Sequence, residues 1–157
     1  MTERKPRIIV DADASPKKVR EITCEIAQKY GWEVVTVASF HHQMEGGHQH
    51  IIAGDEAQAA DLVILNLLKK GNIVVTQDWG LAALVLGKGG DALSPHGYIF
   101  REERMEFLLE ERHLKAKYRR MGGRTRGPAA RTKADDEKFR KALEKLVQER
   151  ENNLKGN

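Results

Sequence analysis

Short runs of β-branched and apolar residues alternate along the chain with longer segments whose apolar residues recur at helical spacing. The runs predicted to be strands are 7–10, 33–39, 51–52, 73–76 and, at a possible sheet edge, 92–93. The segments predicted to be helices are 15–30, 57–70, 80–86, 102–119 and 134–151. Strands separated by helices are typical of a mainly parallel sheet covered on both faces. The sequence therefore predicts one three-layer α/β/α domain over residues 1–157.

Residues at several predicted helix ends are suited to satisfying free backbone groups. Ser15, before Pro16, is predicted to cap the first helix, and Gly31 to end it. Thr132 and Asp135 have the spacing of a capping box at the start of the last helix. The apolar positions of that helix are Phe139, Leu143, Leu146 and Val147.

Four aspartates stand where the predicted strands and helices meet. Asp11 and Asp13 follow the first strand, Asp78 follows the strand 73–76, and Asp61 interrupts the most apolar helix. Ligands of open parallel sheets bind beyond the carboxyl ends of the strands, so we expect these side chains to share one cleft. Carboxylates held close together favour a cation between them, and oxygen ligands suit Mg²⁺ or Mn²⁺. Such an ion activates water and neutralises charge on phosphate oxygens.

Each aspartate also has a structural interpretation. Asp11 and Asp13 fit turn and cap positions, and Asp78 fits a helix cap. Asp61 fits the acid of a salt bridge, because burying a carboxylate without a partner is costly. The four together favour a metal site in which all four are ligands and catalytic residues.

Positive charge is concentrated in one segment. The net charge is +4, yet residues 112–133 contain nine Lys or Arg and no Asp or Glu. We predict that this segment is a basic loop (112–133), starting at the end of the helix 102–119. Its Gly122–Pro128 stretch has glycines that let backbone amides approach a phosphate, without the spacing of a P-loop. A solvated loop is the alternative to contact with nucleic acid, RNA or DNA. The residues predicted to contact it are Arg112, Lys117, Arg119, Arg120, Arg124 and Arg126.

Cysteine content and hydropathy narrow the class of protein. Cys24 is the only cysteine, which excludes an intramolecular disulfide and a multi-cysteine zinc site. No apolar run approaches the roughly 18 residues of a membrane span, and the charged residues 1–7 do not resemble a signal peptide. The sequence thus predicts a cytoplasmic protein with no membrane partner.

Two further features have competing interpretations. Residues 40–50 contain four histidines, of which His48 and His50 could place two metal ligands on one strand face. An exposed loop, lying in solvent or at the rim of the cleft, is the alternative. Trp79, next to Asp78, could stack on a nucleic-acid base or be a buried aromatic residue.

Motifs along nearly the whole chain resemble those of the YaiI/YqxD family of uncharacterised bacterial proteins. They lie at 10–16 (Val-Asp-Ala-Asp-Ala-Ser-Pro), 59–64 (Ala-Ala-Asp-Leu-Val-Ile), 71–82 (Gly-Asn-Ile-Val-Val-Thr-Gln-Asp-Trp-Gly-Leu-Ala), 94–97 (Ser-Pro-His-Gly), 119–122 (Arg-Arg-Met-Gly), 127–128 (Gly-Pro) and the last helix with Phe139. The resemblance implies a PIN-like domain, whose acidic cleft binds one or two Mg²⁺ or Mn²⁺ ions and cleaves RNA or DNA.

By position, the resemblance implies that the four aspartates form this cleft and that Thr76 is a supporting hydroxyl. Ser15 stands where the family usually has Cys, which indicates a structural supporting role for this position. Gln58 stands where the family often has an acid, which reduces the number of carboxylates.

Three functions remain open at this point. A metal-dependent nuclease, acting more on RNA than on DNA, accounts for both the acids and the basic segment. A non-catalytic RNA-binding or regulatory module with the same fold would account for Gln58. A small-molecule phosphohydrolase would use the same acids without the basic segment.

Overall fold

The computed structural model describes residues 5–39, 48–54, 58–123 and 130–155, apart from the side chains of 107–109. Its strands are β1 (Arg7–Asp11), β2 (Glu33–Ala38), β3 (Gln49–Ile52), β4 (Ile73–Val75), β5 (Asp91–Leu93) and β6 (Ile99–Phe100). Its α-helices are α1 (Lys17–Tyr30), α2 (Ala59–Leu67), α3 (Trp79–Gly87), α4 (Glu102–Arg120) and α5 (Lys133–Lys155). A single 3₁₀ turn (Ala12–Ala14) joins β1 to α1. Among the described helices, none combines the length and apolarity needed to cross a bilayer.

The strands form one sheet in the order β3-β2-β1-β4-β5-β6. Neighbours from β3 to β5 pair in parallel, and β6 pairs antiparallel with β5. The predicted edge position of 92–93 is wrong, because β6 covers the outer side of β5. A two-residue strand such as β6 is too short to produce a recognisable alternation in the sequence.

Helices cover both faces of the sheet, which confirms the predicted α/β/α layers. On one face, alternate strand residues such as Ile8 and Val10 pack with α1 and α5, where Phe139 and Leu143 are fully buried. On the other face, residues such as Ile9 pack with α2, α3 and α4. Side chains alternate between the two faces of a strand, so strands buried on both faces are apolar throughout.

The predicted helix ends are confirmed in two cases and wrong in one. Gly31 ends α1 in the left-handed conformation, with φ of 74°. At the start of α5, the Thr132 amide donates to the Asp135 carboxylate at 2.9 Å, as the capping box requires. Ser15 does not cap α1, because Pro16 occupies the cap position. The Ser15 hydroxyl instead donates to the Asp11 carbonyl at 2.9 Å, which closes the turn after β1.

The predicted basic loop (112–133) is wrong at both ends. Residues 112–120 belong to α4, and Lys133 already belongs to α5, which continues past the predicted end at 151. Lysine, arginine, leucine and alanine are good helix formers, so a basic composition does not interrupt a helix. Residues 124–129, which include most of the glycine-containing stretch proposed to cradle phosphate, lie outside the described residues.

Candidate functional site

The order of the strands creates a crevice between the carboxyl ends of β1 and β4. From β1 the chain continues to β2 and β3 on one side, and then returns to β4 on the other side. The chain connections that leave the two strands run in opposite directions at such a reversal, which is where open α/β sheets bind ligands. Asp11 is the last residue of β1, and Thr76 directly follows β4. The candidate site therefore lies at this reversal.

Asp11 is buried and held by a hydroxyl from the neighbouring strand. Asp11 is only 8% exposed, and its Oδ2 atom accepts a hydrogen bond of 2.8 Å from Thr76 Oγ1. The Thr76 oxygen in turn accepts the backbone N–H of Asp78 at 3.0 Å. Thr76 thereby fixes one carboxylate oxygen of Asp11 and connects it to the turn that carries Asp78.

The charges of the other three aspartates change the pKa of Asp11. Burial is the main cause that raises the pKa of Asp11 from 3.8 to about 6. The carboxylates of Asp61, Asp13 and Asp78 raise it further, while the hydrogen bond from Thr76 opposes the increase. Like charges raise one another's pKa only when they are near, so Asp61, Asp13 and Asp78 each lie close enough to Asp11 to act on its charge. Among the described residues, however, no three acids, imidazoles or thiols are grouped closely enough to hold a metal ion.

Asp13 and Asp78 are exposed, and backbone groups orient both. Asp13 accepts the Ser39 amide at 2.8 Å and the Ser39 hydroxyl at 3.3 Å, which ties the 3₁₀ turn to the end of β2. Asp78 Oδ1 accepts the Leu81 amide at 3.1 Å and so caps α3. The structural interpretation of Asp78 is thus correct, and one carboxylate can serve as a cap and as part of an acidic cluster.

Asp61 lies in the first turn of α2 and is half-buried. Within the described part of the chain it has neither a hydrogen-bond nor an ion-pair partner, so the salt bridge considered for it is not seen there. Its pKa is raised by burial and by the Asp78 carboxylate. This acid is therefore the least constrained of the four.

The residue before α2 has an unfavourable backbone conformation. Gln58 occupies the cap position with φ of 66°, in the left-handed region that favours glycine. We expect Gln58→Gly to raise the free energy of unfolding by about 0.5–1 kcal/mol, since relief of the strain exceeds the added entropy of the unfolded chain. Urea denaturation measures the change.

The same substitution in a helix is the control for Gln58→Gly. Gln28 is exposed within α1, so Gln28→Gly should lower the free energy of unfolding by about 1 kcal/mol. Equal losses at the two positions would contradict the assignment of strain to Gln58.

The described basic residues lie on a helix. Arg112, Lys117, Arg119 and Arg120 are all exposed on the second half of α4, whose first half is anchored by the buried Met105. Arg124 and Arg126 lie outside the described residues. The structure thus places these basic residues on the helix predicted over 102–119, and not on the basic loop (112–133).

The two described histidines of residues 40–50 face the same side of the sheet, but they are half-buried and not exposed. Thr36 Oγ1 lies 3.1 Å from His48 Nε2 and 2.6 Å from His50 Nδ1. His48 Nδ1 lies 3.6 Å from Cys24 Sγ, and burial lowers the pKa of His48. The rest of the histidine-rich stretch, and with it the idea of a loop at the cleft rim, lies outside the described residues.

Sequence reasoning missed the contacts that hold the acidic loops together. Gln77 donates from its side-chain amide to the Ala14 carbonyl at 2.8 Å, joining the turn after β4 to the turn after β1. Ser39 plays the same role between β2 and Asp13. Nothing in the spacing of these residues indicates a partner 63 positions away in one case and 26 in the other.

Comparison with known proteins yields relatives without a described activity. A family profile described as the uncharacterised YaiI/YqxD family matches residues 9–149. A UPF0178 protein of Heliobacterium modesticaldum is 44% identical over 143 residues, 91% of this chain and 97% of that protein. A UPF0178 protein of Ruminiclostridium cellulolyticum is 43% identical over 138 residues, 87% of this chain and 89% of that protein. No solved structure matches the chain significantly.

Proposed function

We propose that the chain, which belongs to the YaiI/YqxD family, is a Mg²⁺- or Mn²⁺-dependent nuclease that hydrolyses phosphodiester bonds in nucleic acid, preferentially RNA. The observation that carries the proposal is the buried Asp11 at the reversal of strand order, with Asp13, Asp61 and Asp78 around it. The PIN-like character of the fold and a cytoplasmic location are part of the same proposal.

The donor set fits a hydrated hard cation. Among the described residues, no three carboxylates, imidazoles or thiols are grouped so that they could enclose an ion by themselves. Mg²⁺ does not need such a group, because it usually keeps several waters and binds one or two carboxylates together with substrate phosphate oxygens. A buried carboxylate among like charges gains most from a cation, since each neighbour disfavours its ionised form. Asp11 is therefore the proposed principal ligand, and Asp78, Asp13 and Asp61 complete the acidic surroundings.

The ion and the residues of the site have separate proposed roles in hydrolysis. A bound divalent ion supplies charge neutralisation and a more acidic water. Thr76 holds the Asp11 carboxylate in one orientation through its 2.8 Å hydrogen bond. Asp61, with a raised pKa and no partner among the described residues, is the proposed acceptor for the proton released when water attacks phosphorus.

The basic surface of α4 supports a nucleic-acid substrate over a small phosphate ester. Arg112, Lys117, Arg119 and Arg120 are exposed on one half of this helix, where they can contact successive phosphates. Arg124 and Arg126 extend the same basic segment in the sequence. We expect affinity for RNA to fall steeply as the salt concentration rises, because each phosphate contact releases counterions.

The deciding experiment combines Mn²⁺ and Mg²⁺ calorimetry with cleavage of a mixed single-stranded RNA. Wild type should bind the ions and cut the RNA, whereas Asp11→Asn should lose both, since the amide retains the shape but not the charge. Glu33→Gln, an exposed acid at the amino end of β2, is the matched control and should behave as wild type.

The outcomes separate the three functions. Ion binding and cleavage that persist in Asp11→Asn would refute the proposed site. Salt-dependent RNA binding without turnover under either metal would favour the non-catalytic module. Turnover of a free phosphate ester that is insensitive to charge reversal on α4 would favour the small-molecule phosphohydrolase.

A further inference from the structure

A small aromatic pocket opens beside the acidic site. Its volume is about 190 Å³, below the roughly 300–1,000 Å³ of pockets that hold drug-sized ligands. It can therefore receive one flat ring system, but not a larger ligand. The lining residues are Gln77, Trp79, Ser94, His96, Tyr98 and Phe100.

The aromatic rings of the pocket support one another. Phe100 is buried, and its ring makes edge contacts with Tyr98 at 5.3 Å and with Trp79 at 6.2 Å between centroids. Trp79 and Tyr98 are partly exposed and line the opening. Edge-to-face packing of this kind holds rings in defined orientations, so the pocket presents a fixed aromatic surface.

The outer wall of the pocket is a rigid turn between β5 and β6. The Ser94 hydroxyl oxygen accepts the backbone N–H groups of His96 at 3.2 Å and Tyr98 at 3.1 Å. Arg131 donates to the Pro95 carbonyl at 2.8 Å and so ties the turn to the start of α5. A wall fixed in this way does not have to be ordered when a ligand enters, which favours binding.

The pocket and the acidic site share one loop. Gln77 and Trp79 line the pocket and flank Asp78 in the chain. The Gln77 side chain also donates to the carbonyl of Ala14, next to Asp13. A nucleotide whose phosphate approaches the aspartates would therefore have its base near the aromatic rings.

We propose that this aromatic pocket binds the base of an unpaired nucleotide next to the phosphate at the acidic site. The inference deepens the proposed nuclease function, on which it rests for the position of the phosphate. Base stacking on aromatic rings is tolerant of sequence and requires a base that is not paired. The pocket consequently makes the protein selective for single strands, with little preference among bases.

The test measures binding with cleavage switched off by Asp11→Asn. Short single-stranded RNA is titrated into this protein and into the same protein carrying Trp79→Leu, which keeps apolar packing but removes the ring. Each is also titrated with oligonucleotides that lack one base at successive positions. We expect Trp79→Leu to weaken binding of the intact strand about tenfold. In the protein that retains Trp79, removing the base at one position of the strand should weaken binding by the same factor. The same abasic strand should bind the Trp79→Leu protein no more weakly than the intact strand does.

Two controls separate stacking from folding. Trp79→Phe keeps a flat ring and should retain most of the affinity, whereas a merely structural role would not follow ring shape. Trp32→Phe changes the other tryptophan, which lies on the opposite face of the sheet, and should bind as the parent does. Thermal unfolding verifies that each variant is folded.

Each outcome bears on one proposal. Three results would overturn the base pocket, even if the wild type cleaves RNA. These are additive losses from Trp79→Leu and the abasic strand, unchanged RNA binding by Trp79→Leu, and equal affinity for an RNA duplex and a single strand. A mononucleotide that binds as tightly as the oligonucleotide would also overturn it, in favour of a free-nucleotide site. If the two losses are not additive and the wild type cleaves no RNA under either metal, the result would support the pocket and refute only the nuclease.

Discussion

Asp11→Asn should make the metal-free protein more stable at pH 8, by on the order of 2–3 kcal/mol in the free energy of unfolding. Burial and the carboxylates of Asp61, Asp13 and Asp78 raise the pKa of Asp11 from 3.8 to about 6. The ionised side chain is therefore less favourable in the folded protein than in the unfolded chain. Asparagine removes the charge and can still accept the hydrogen bond from Thr76.

The gain should depend on pH in a defined direction. Below pH 3.8 Asp11 is protonated in both states, and the wild type keeps the full contribution of the neutral group. Between about pH 4 and 6 the unfolded chain loses its proton first, so stability falls as pH rises through the folded pKa of about 6. The advantage of Asp11→Asn should consequently be small at pH 4 and complete at pH 8.

Two comparisons make this prediction specific. Asp135 has a pKa lowered chiefly by a backbone hydrogen bond from Thr132, so Asp135→Asn should reduce stability at neutral pH. Saturating Mn²⁺ should stabilise the wild type against urea but not Asp11→Asn. If Asp11→Asn were less stable than wild type at pH 8 without metal, the carboxylate would be a net stabilising group and the proposed cation site would lose its electrostatic basis.

Gly97→Ala should lower the free energy of unfolding by about 3 kcal/mol. Gly97 has φ of +86°, in the left-handed region, and an added Cβ would lie 2.7 Å from the backbone carbonyl of Lys138 in α5. Backbone atoms cannot move aside as a side chain can, so the turn and the helix must separate. The change should also weaken single-stranded RNA binding, because this turn forms the wall of the aromatic pocket.

Gly87→Ala is the matched control for this second prediction. Gly87 is the last residue of α3, and an added Cβ there meets nothing within 4 Å. Alanine is the better helix former, so stability should be unchanged or rise by up to about 1 kcal/mol. Denaturant titration of both variants decides the matter, and a similar small change in each would show that α5 does not pack tightly on the turn.

Local patterns in the sequence predicted most of the layered fold. The apolar runs 7–10 and 73–76 could form buried strands without knowledge of their partners, since a strand covered on both faces is apolar throughout. Gly31 and the pair Thr132 and Asp135 were interpreted correctly, because the groups they satisfy lie within a few residues. The proximity of Asp11 and Asp78 was expected from their position after parallel strands, and Asp78 is near enough to raise the pKa of Asp11.

The arrangement within the site could be known only from the tertiary structure. The Thr76 hydroxyl reaches an aspartate 65 residues away because β4 lies beside β1, and no local spacing reveals that neighbour. Ser15 was assigned to a cap from its sequence context. Because a 3₁₀ turn precedes it, Ser15 lies one residue before the cap position, which Pro16 occupies.

The aromatic pocket shows the same division. In the sequence, no other aromatic residue stands near Trp79. The pairing of β6 with β5 brings Tyr98 and Phe100 beside it in the fold. Sequence by itself therefore determined what depends on spacing along the chain: most of the elements, most of their caps and the acids at the strand ends. Strand order decided the rest, because contacts between distant segments depend on which strands become neighbours, and hydrophobic periodicity does not encode that choice.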